Sequence, residues 1–267
     1  MEKKFKLGVI GAGFMSSAII GGALSSGFLS ADEIIVTDKN AEAREKIACY
    51  NVTVAETKDV FDNAEFVLFA VKPQNFAELK EYSTERSCRK LISIMAGVKR
   101  EKIRGVFAGA KVARCMPNTP CSVGNGAVGI DLSDYTDERD VEFIKGLFGS
   151  FAKIALIDES KLNAVTGISG SSPAYFYLFL KGIIEAGVKQ GLDYGTAKDF
   201  ATNTMIGAGK MVLNNPDKSL DELIAAVCSK GGTTIEAVRI YEQSDLDGIS
   251  KKAVDACVKR AFELENI

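Results

Sequence analysis

Four groups of short runs hold the residues whose types and spacing suit chemistry. The first is Gly11-Ala12-Gly13-Phe14-Met15-Ser16, which follows the apolar run Leu7–Ile10 and leads into the helix-like stretch Ser17–Leu24. A strand, a tight glycine turn and a helix in that order suit a dinucleotide pyrophosphate. Without side chains at Gly11 and Gly13 the backbone approaches the phosphates closely, and the helix start offers unpaired N–H groups and a positive dipole end. Ser16 takes the sixth position, where Gly or Ala is usual, and is still small enough for close helix–strand packing.

The second run closes the strand-like segment Glu33–Asp38. Asp38 stands where an acidic residue accepts hydrogen bonds from the adenosine ribose, which favours NAD. Thr37, Lys39, Asn40 and Arg44 crowd the same place and suit a 2′-phosphate. They tilt the expectation towards NADP(H), with NAD(H) as the alternative. A plainer reading has Asp38 simply ending a strand and Asn40 capping a helix.

The third group is spread over three segments. Ala70-Val71-Lys72-Pro73 and Ala96-Gly97 each close an apolar strand-like run, at the edge where open α/β sheets bind ligands. Arg114-Cys-Met-Pro-Asn-Thr-Pro120 places Asn118 between two prolines, so a rigid loop aims its polar groups, or forms a purely structural turn. The fourth group is Val165–Tyr175, rich in hydroxyls and small residues, together with Cys228-Ser-Lys-Gly-Gly-Thr-Thr-Ile-Glu236. Two glycines before two threonines at a helix start, with the hydroxyls of Ser229, Thr233 and Thr234, form a nest for a carboxylate. Ordinary Ser/Thr capping is the bland alternative.

The elements that must position these groups divide the 267-residue chain in two. Residues 1–158 alternate strand-like and helix-like segments, with strands at 33–38, 66–71, 91–95, 111–115, 128–130 and 154–157 and helices at 41–48 and 137–149. This predicts a doubly wound Rossmann-like α/β domain. Residues 159–267 turn helical, with helices at 173–191, 194–214, 220–227, 233–243 and 248–265. Tyr175–Leu180 and Gly182–Ile184 leave little polar face, and a helix that is apolar nearly all round must be covered nearly all round. An oligomer formed through the helical half follows, with a buried central helix in a monomer as the alternative.

Composition narrows the function classes. Lys plus Arg number 33 against 35 Asp plus Glu, so no bulk positive charge invites nucleic acid. The uncharged stretch Leu162–Leu180 is broken by Asn163, Thr166, Ser169, Ser171, Ser172 and Pro173, which argues against a membrane span. Lys3, Lys4 and Lys6 before apolar residues resemble a signal peptide, but the glycine turn begins at once. Six cysteines (49, 88, 115, 121, 228 and 257) show no framework spacing and read as reduced thiols of a cytoplasmic protein. No metal site is expected. With no histidine in the chain, catalysis must do without imidazole.

Taken together, Gly11–Met15 with Ala18-Ile19, Ala70–Pro73, Met116–Pro120, Thr166–Tyr175 and Gly231–Ile235 resemble the pyrroline-5-carboxylate reductase family along essentially the whole chain. The resemblance implies a nucleotide-binding Rossmann domain, an all-α dimerisation domain, and NAD(P)H-dependent reduction of 1-pyrroline-5-carboxylate to L-proline, the last step of proline biosynthesis. Carried over by position, Ala12, Phe14, Met15, Thr37, Lys39, Thr57, Val71, Lys72 and Ala96 line the cofactor, and Gly11, Gly13, Asp38 and Asn118 join them from the reading of the residues above. Ser229, Gly232, Thr233 and Thr234 hold the substrate with Glu159 nearby, and Thr234 is the catalytic candidate. The partner implied is a second copy of the chain, in homodimers that often build decamers.

Two departures from the family pattern stand out: Lys230 where Pro is frequent, and Ala225-Ala226 where a polar or charged pair is common. A β-hydroxyacid dehydrogenase is the nearest rival enzyme. Its expected helix lysine falls at Phe176, and no lysine follows before Lys181, so alcohol oxidation lacks its proton acceptor. A cofactor-binding regulator without turnover and a reductase of a six-membered cyclic imine are the remaining alternatives.

Overall fold

A computed structural model describes residues 4–84 and 89–265; Lys3 and Cys88 lie outside the described residues. Two compact units emerge, one of residues 1–171 with 257–267 and one of residues 172–256.

The first unit is built on one eight-stranded sheet. Its strands are β1 (Phe5–Ile10), β2 (Ile34–Thr37), β3 (Thr53–Val54), β4 (Ala64–Phe69), β5 (Lys90–Ser93), β6 (Lys111–Met116), β7 (Gly126–Asp131) and β8 (Ala152–Leu156). The order β3-β2-β1-β4-β5-β6-β7-β8 puts the topological switch between β1 and β4. Such a switch opens a crevice at the strands' C-terminal ends. The helices of this unit are α1 (Phe14–Ser25), α2 (Ala41–Ala48), α3 (Thr57–Asn63), α4 (Arg100–Val106), α5 (Glu138–Gly149) and the short α6 (Leu162–Val165). A π-helical turn, Thr166–Gly170, follows α6.

Strand alternation splits the apolar side chains into two buried clusters. Leu7, Val9, Phe66 and Leu68 pack in one with Ile19 and Phe148. Ile10, Ile35, Val67 and Phe69 pack in the other with Phe61 and Phe107. Successive strand residues point to opposite faces, so strands covered on both sides read as continuous apolar runs.

Several boundaries differ from the sequence reading, each for a local reason. β4 starts at Ala64 rather than residue 66, because Glu65 is a strand residue despite its charge. Its carboxylate accepts hydrogen bonds from Lys6 Nζ at 2.8 Å and Lys90 Nζ at 3.1 Å. Burial opposes charge on Glu65, but those two bonds outweigh it and hold the carboxyl below the usual range. The segment before β5 is a 3₁₀ helix, Pro73–Tyr82. β3 and α3 are additions that the hydropathy pattern did not suggest. β7 runs antiparallel to β6, pairing Arg114 with Asp131, because a short loop with a 3₁₀ turn at Thr119–Val123 joins them in place of a crossover helix.

The second unit contains α7 (Ser172–Lys189), α8 (Tyr194–Asn214), α9 (Leu220–Val227), α10 (Thr233–Gln243) and the greater part of α11 (Leu246–Leu264). Side-chain caps account for several sharp starts. Asp193 accepts from the Thr196 N–H, and Ser219 forms a capping box with Glu222. Much of the apolar surface here is bare: Phe176, Tyr177, Leu178, Phe200 and Leu213 are 58%, 63%, 72%, 70% and 79% exposed. Exposed apolar area on this scale marks a surface that another molecule covers. Among the described residues, no helix is long and apolar enough to cross a membrane.

Candidate active site

The nucleotide-type residues of the first unit share one edge of the sheet. Gly11–Met15 follow β1, Asp38 and Lys39 follow β2, Val71 and Lys72 follow β4, Ala96 follows β5 and Asn118 follows β6. Thr37 is the last residue of β2 and Thr57 opens α3 just past β3. The tight turn at Gly11 has φ +102°, and a Cβ there would lie 2.6 Å from the Ala70 carbonyl oxygen. Its N–H donates to the Thr37 carbonyl at 2.9 Å, tying the ends of β1 and β2 together. Gly13 is the N-cap of α1 and supplies no side-chain cap, and space is open around it. The first N–H groups of α1 thus face the crevice, an arrangement suited to a pyrophosphate.

Asp38 adds an acceptor to this turn. Its Oδ2 accepts from the Ala12 N–H at 2.7 Å and its Oδ1 from the Asn40 N–H at 2.8 Å. Phe14 and Lys72 are exposed, Met15, Val71 and Ala96 half-buried, and Thr37 buried. A flat, partly apolar ligand such as a dinucleotide fits a lining of that kind.

Asn118 and Glu159 have internal partners. Asn118 Nδ2 donates to Ser169 Oγ at 3.1 Å, and Asn118 Oδ1 accepts from the Ala127 N–H at 3.0 Å. The amide therefore braces the loop against β7 and the π-helical turn. Glu159 Oε1 accepts from the Arg100 N–H at 2.7 Å and from Arg114 Nη1 at 3.1 Å. Asp131 completes this cluster. It accepts from Arg100 Nη1 at 2.6 Å, the Glu159 N–H at 2.9 Å and Ser133 Oγ at 2.8 Å. Arg100, Arg114 and Asp131 were not singled out from sequence as a charged set. The only local signal is the occurrence of Arg114 and Asp131 within otherwise apolar strands; Arg100, at the start of α4, carries none.

Cys115 and Cys121 flank Asn118 and are both buried. Burial pushes both thiols up, Cys115 far above the usual range. Since the thiolate is the reactive form, a maleimide at pH 8 is expected to label exposed Cys49 in the native protein and to spare Cys115 and Cys121 until unfolding. Peptide mapping by mass spectrometry reads the pattern; rapid native labelling of Cys115 would contradict it.

The carboxylate-type residues lie in the second unit, between α9 and α10. Gly231 adopts φ +72°, and Gly232 is the N-cap of α10 without a side-chain cap. The Gly232 N–H donates to the Ser229 carbonyl at 3.0 Å, closing the loop. Ser229, Thr233 and Thr234 are exposed, and a side chain at Gly232 would collide with Ser229 Oγ. The structure thus gathers Ser229, Gly232, Thr233 and Thr234 around one uncapped helix start, which presents N–H and hydroxyl donors to an anion.

Comparison with known proteins supplies the context. Residues 159–264 match the family model "Pyrroline-5-carboxylate reductase dimerisation", and residues 6–97 match "NADP oxidoreductase coenzyme F420-dependent". A pyrroline-5-carboxylate reductase of Haemophilus influenzae is 38% identical over 263 residues, covering 97% of each chain. The chain belongs to the pyrroline-5-carboxylate reductase family.

Solved structures agree with this membership. The pyrroline-5-carboxylate reductase of Coxiella burnetii superposes with a TM-score of 0.86 at 28% identity, over 98% of this chain and 99% of that one. The Plasmodium falciparum pyrroline carboxylate reductase, solved with NADP bound, gives 0.85 at 26% identity, over 99% of this chain and 100% of that one. The N-terminal half is accordingly a Rossmann-like nicotinamide-nucleotide domain and the helical half a dimerisation domain. The bare apolar helices of residues 172–256 are the kind of surface that oligomerisation covers.

Proposed function

We propose that this chain reduces 1-pyrroline-5-carboxylate to L-proline with a reduced nicotinamide dinucleotide, the last step of proline biosynthesis. What supports this above all is relatedness along the full length of the chain, so that the glycine turn and the Gly231–Thr234 loop are kept together. The Gly11–Met15 turn receives the pyrophosphate. Thr37, Asp38, Lys39 and Thr57 border the adenosine, while Val71, Lys72, Ala96 and the Asn118 loop line the remainder of the nucleotide. When bound, the cofactor supplies the hydride.

The protein's residues mainly bind and orient. Ser229, Gly232 and Thr233 hold the substrate carboxylate, and Thr234 Oγ1 accepts a hydrogen bond from the N–H of the protonated ring nitrogen. The carbon of a protonated imine is electrophilic on its own, so a chain without histidine meets the need by positioning rather than by strong acid catalysis. Glu159, held within the first unit by Arg100 and Arg114, is assigned a positioning role rather than a direct contact.

The working unit is a homodimer formed through the helical half, with decamers as the larger assembly. The near-balanced charge of −2 supports an enzyme of small molecules without nucleic-acid or anionic-membrane partners, and six cysteines without framework spacing suit the cytoplasm.

Replacing Thr234 tests the assignment. Loss of one hydrogen bond to a charged group is worth about 1.5–3 kcal/mol, so Thr234→Ala should lower kcat/KM for pyrroline-5-carboxylate roughly 10–100-fold. Thr234→Ser should keep most of the activity. Unchanged kcat/KM in Thr234→Ala would remove Thr234 from the site.

A further inference from the structure

Two backbone amides determine what the end of β2 presents to a nucleotide. Asp38 Oδ2 accepts from the Ala12 N–H at 2.7 Å and Oδ1 from the Asn40 N–H at 2.8 Å. Ala12 is buried, so swinging Asp38 away would strip a buried donor in the glycine turn of its partner. The carboxylate is therefore a stationary feature of the crevice. Each oxygen has a further lone pair, which suits ribose hydroxyls at the end of the second strand.

The nearby cations are held differently. Lys39 is exposed, and its Nζ lies 3.1 Å and 3.2 Å from the two carboxylate oxygens of Glu78. Arg44 Nη1 lies 3.8 Å from Glu56 Oε1. Asn40 is engaged as well: its N–H holds Asp38, and its Oδ1 caps α2 by accepting from the Glu42 N–H at 2.9 Å. Three of the four groups that suggest a 2′-phosphate from sequence, Lys39, Asn40 and Arg44, thus have partners, and the two cations are already countered by carboxylates. A phosphomonoester carries a charge of about −1.5 to −2 at neutral pH and repels a fixed carboxylate.

Resting on the reductase reading above, we infer that Asp38 is the specificity-determining residue of the nucleotide site and makes this chain prefer NADH to NADPH. This reverses the expectation drawn from Lys39, Asn40 and Arg44. The carboxylate nearest the glycine turn is anchored by two backbone N–H groups, whereas Lys39 and Arg44 each already share their charge with a carboxylate.

Calorimetric titration of the intact protein with NADH and with NADPH, in the absence of imine, tests this directly. Wild type should bind NADH at least about tenfold more tightly. Asp38→Asn, which keeps one acceptor oxygen and the side-chain shape, and Asp38→Ser should each shrink that ratio at least about tenfold, chiefly by tightening NADPH. Thermal melting of both variants without nucleotide separates a folding defect from a change in recognition, and the wild-type ratio stands without either variant. Equal or tighter binding of NADPH by wild type would overturn the inference, as would an unchanged ratio in two folded variants. Tighter NADH binding without turnover of pyrroline-5-carboxylate would uphold it while removing the reductase reading. Turnover with tighter NADPH binding would do the opposite.

Discussion

Gly11→Ala is expected to abolish nucleotide binding and to destabilise the first unit. The added Cβ would sit 2.6 Å from the oxygen and 2.8 Å from the carbonyl carbon of Ala70. Those are backbone atoms just past β4, where the Ala70 N–H already donates to the Ile10 carbonyl at 2.9 Å. No side chain can rotate away, so the turn itself must move. A φ of +102° adds strain for any residue with a Cβ. Overpacking and backbone strain together cost about 3 kcal/mol, a fall in melting temperature of roughly 6–12 °C.

Moving the turn also displaces the N–H groups that would face the phosphates, so the nucleotide Kd should rise at least about 100-fold. Gly13→Ala separates the two effects. Gly13 has φ −80° and nothing within 4 Å of its would-be Cβ, so its melting temperature should hardly change. A methyl group at the crevice should nonetheless weaken nucleotide binding. Calorimetry and thermal melting on both variants check the pair. A Gly11→Ala protein that melts and binds like wild type would refute the argument.

Asp131→Ala carries the second large effect. Asp131 is 2% exposed and accepts hydrogen bonds from Arg100, Ser133 and the Glu159 N–H. Removing it takes away the shortest ion pair of Arg100, which keeps only the longer 3.5 Å contacts to Asp134 and Glu159, and leaves the Glu159 N–H unpaired. Breaking a buried ion pair from one side costs about 3–5 kcal/mol; with two carboxylates still near Arg100 the loss should fall at the lower end, about 3 kcal/mol, a large share of a typical domain's roughly 5–15 kcal/mol. Asp131→Asn keeps the shape but not the charge and should fall between. Urea denaturation monitored by circular dichroism gives the difference, and a loss under about 1 kcal/mol in Asp131→Ala would show that the cluster is not structural.

Helix boundaries in the second unit were readable because their signals are local. Asp193 and Ser219 cap α8 and α9, Gly191 adopts φ +98° beyond α7, and Gly232 precedes α10. Each involves residues a few positions apart, which a sequence displays side by side. β3 was missed because two exposed residues carry no periodicity, and β4 was started late because Glu65 owes its place to lysines 59 and 25 residues away. The direction of β7 depends on its neighbour, which no single segment encodes.

The candidate site divides along the same line. From sequence alone came the glycine turn, the acidic end of β2 and the Gly231–Thr234 helix start, since each needs only its own backbone conformation. Only the tertiary structure decided what the polar side chains touch. Asp38 is fixed by Ala12, 26 residues away, and Glu159 by Arg100 and Arg114, 59 and 45 residues away. Asn118 braces Ser169, 51 residues on. The order of residues determines local backbone shape, but a charge or amide acquires its partner only when the chain packs, because burial makes an unpaired polar group costly and rewards whichever partner the packing brings near.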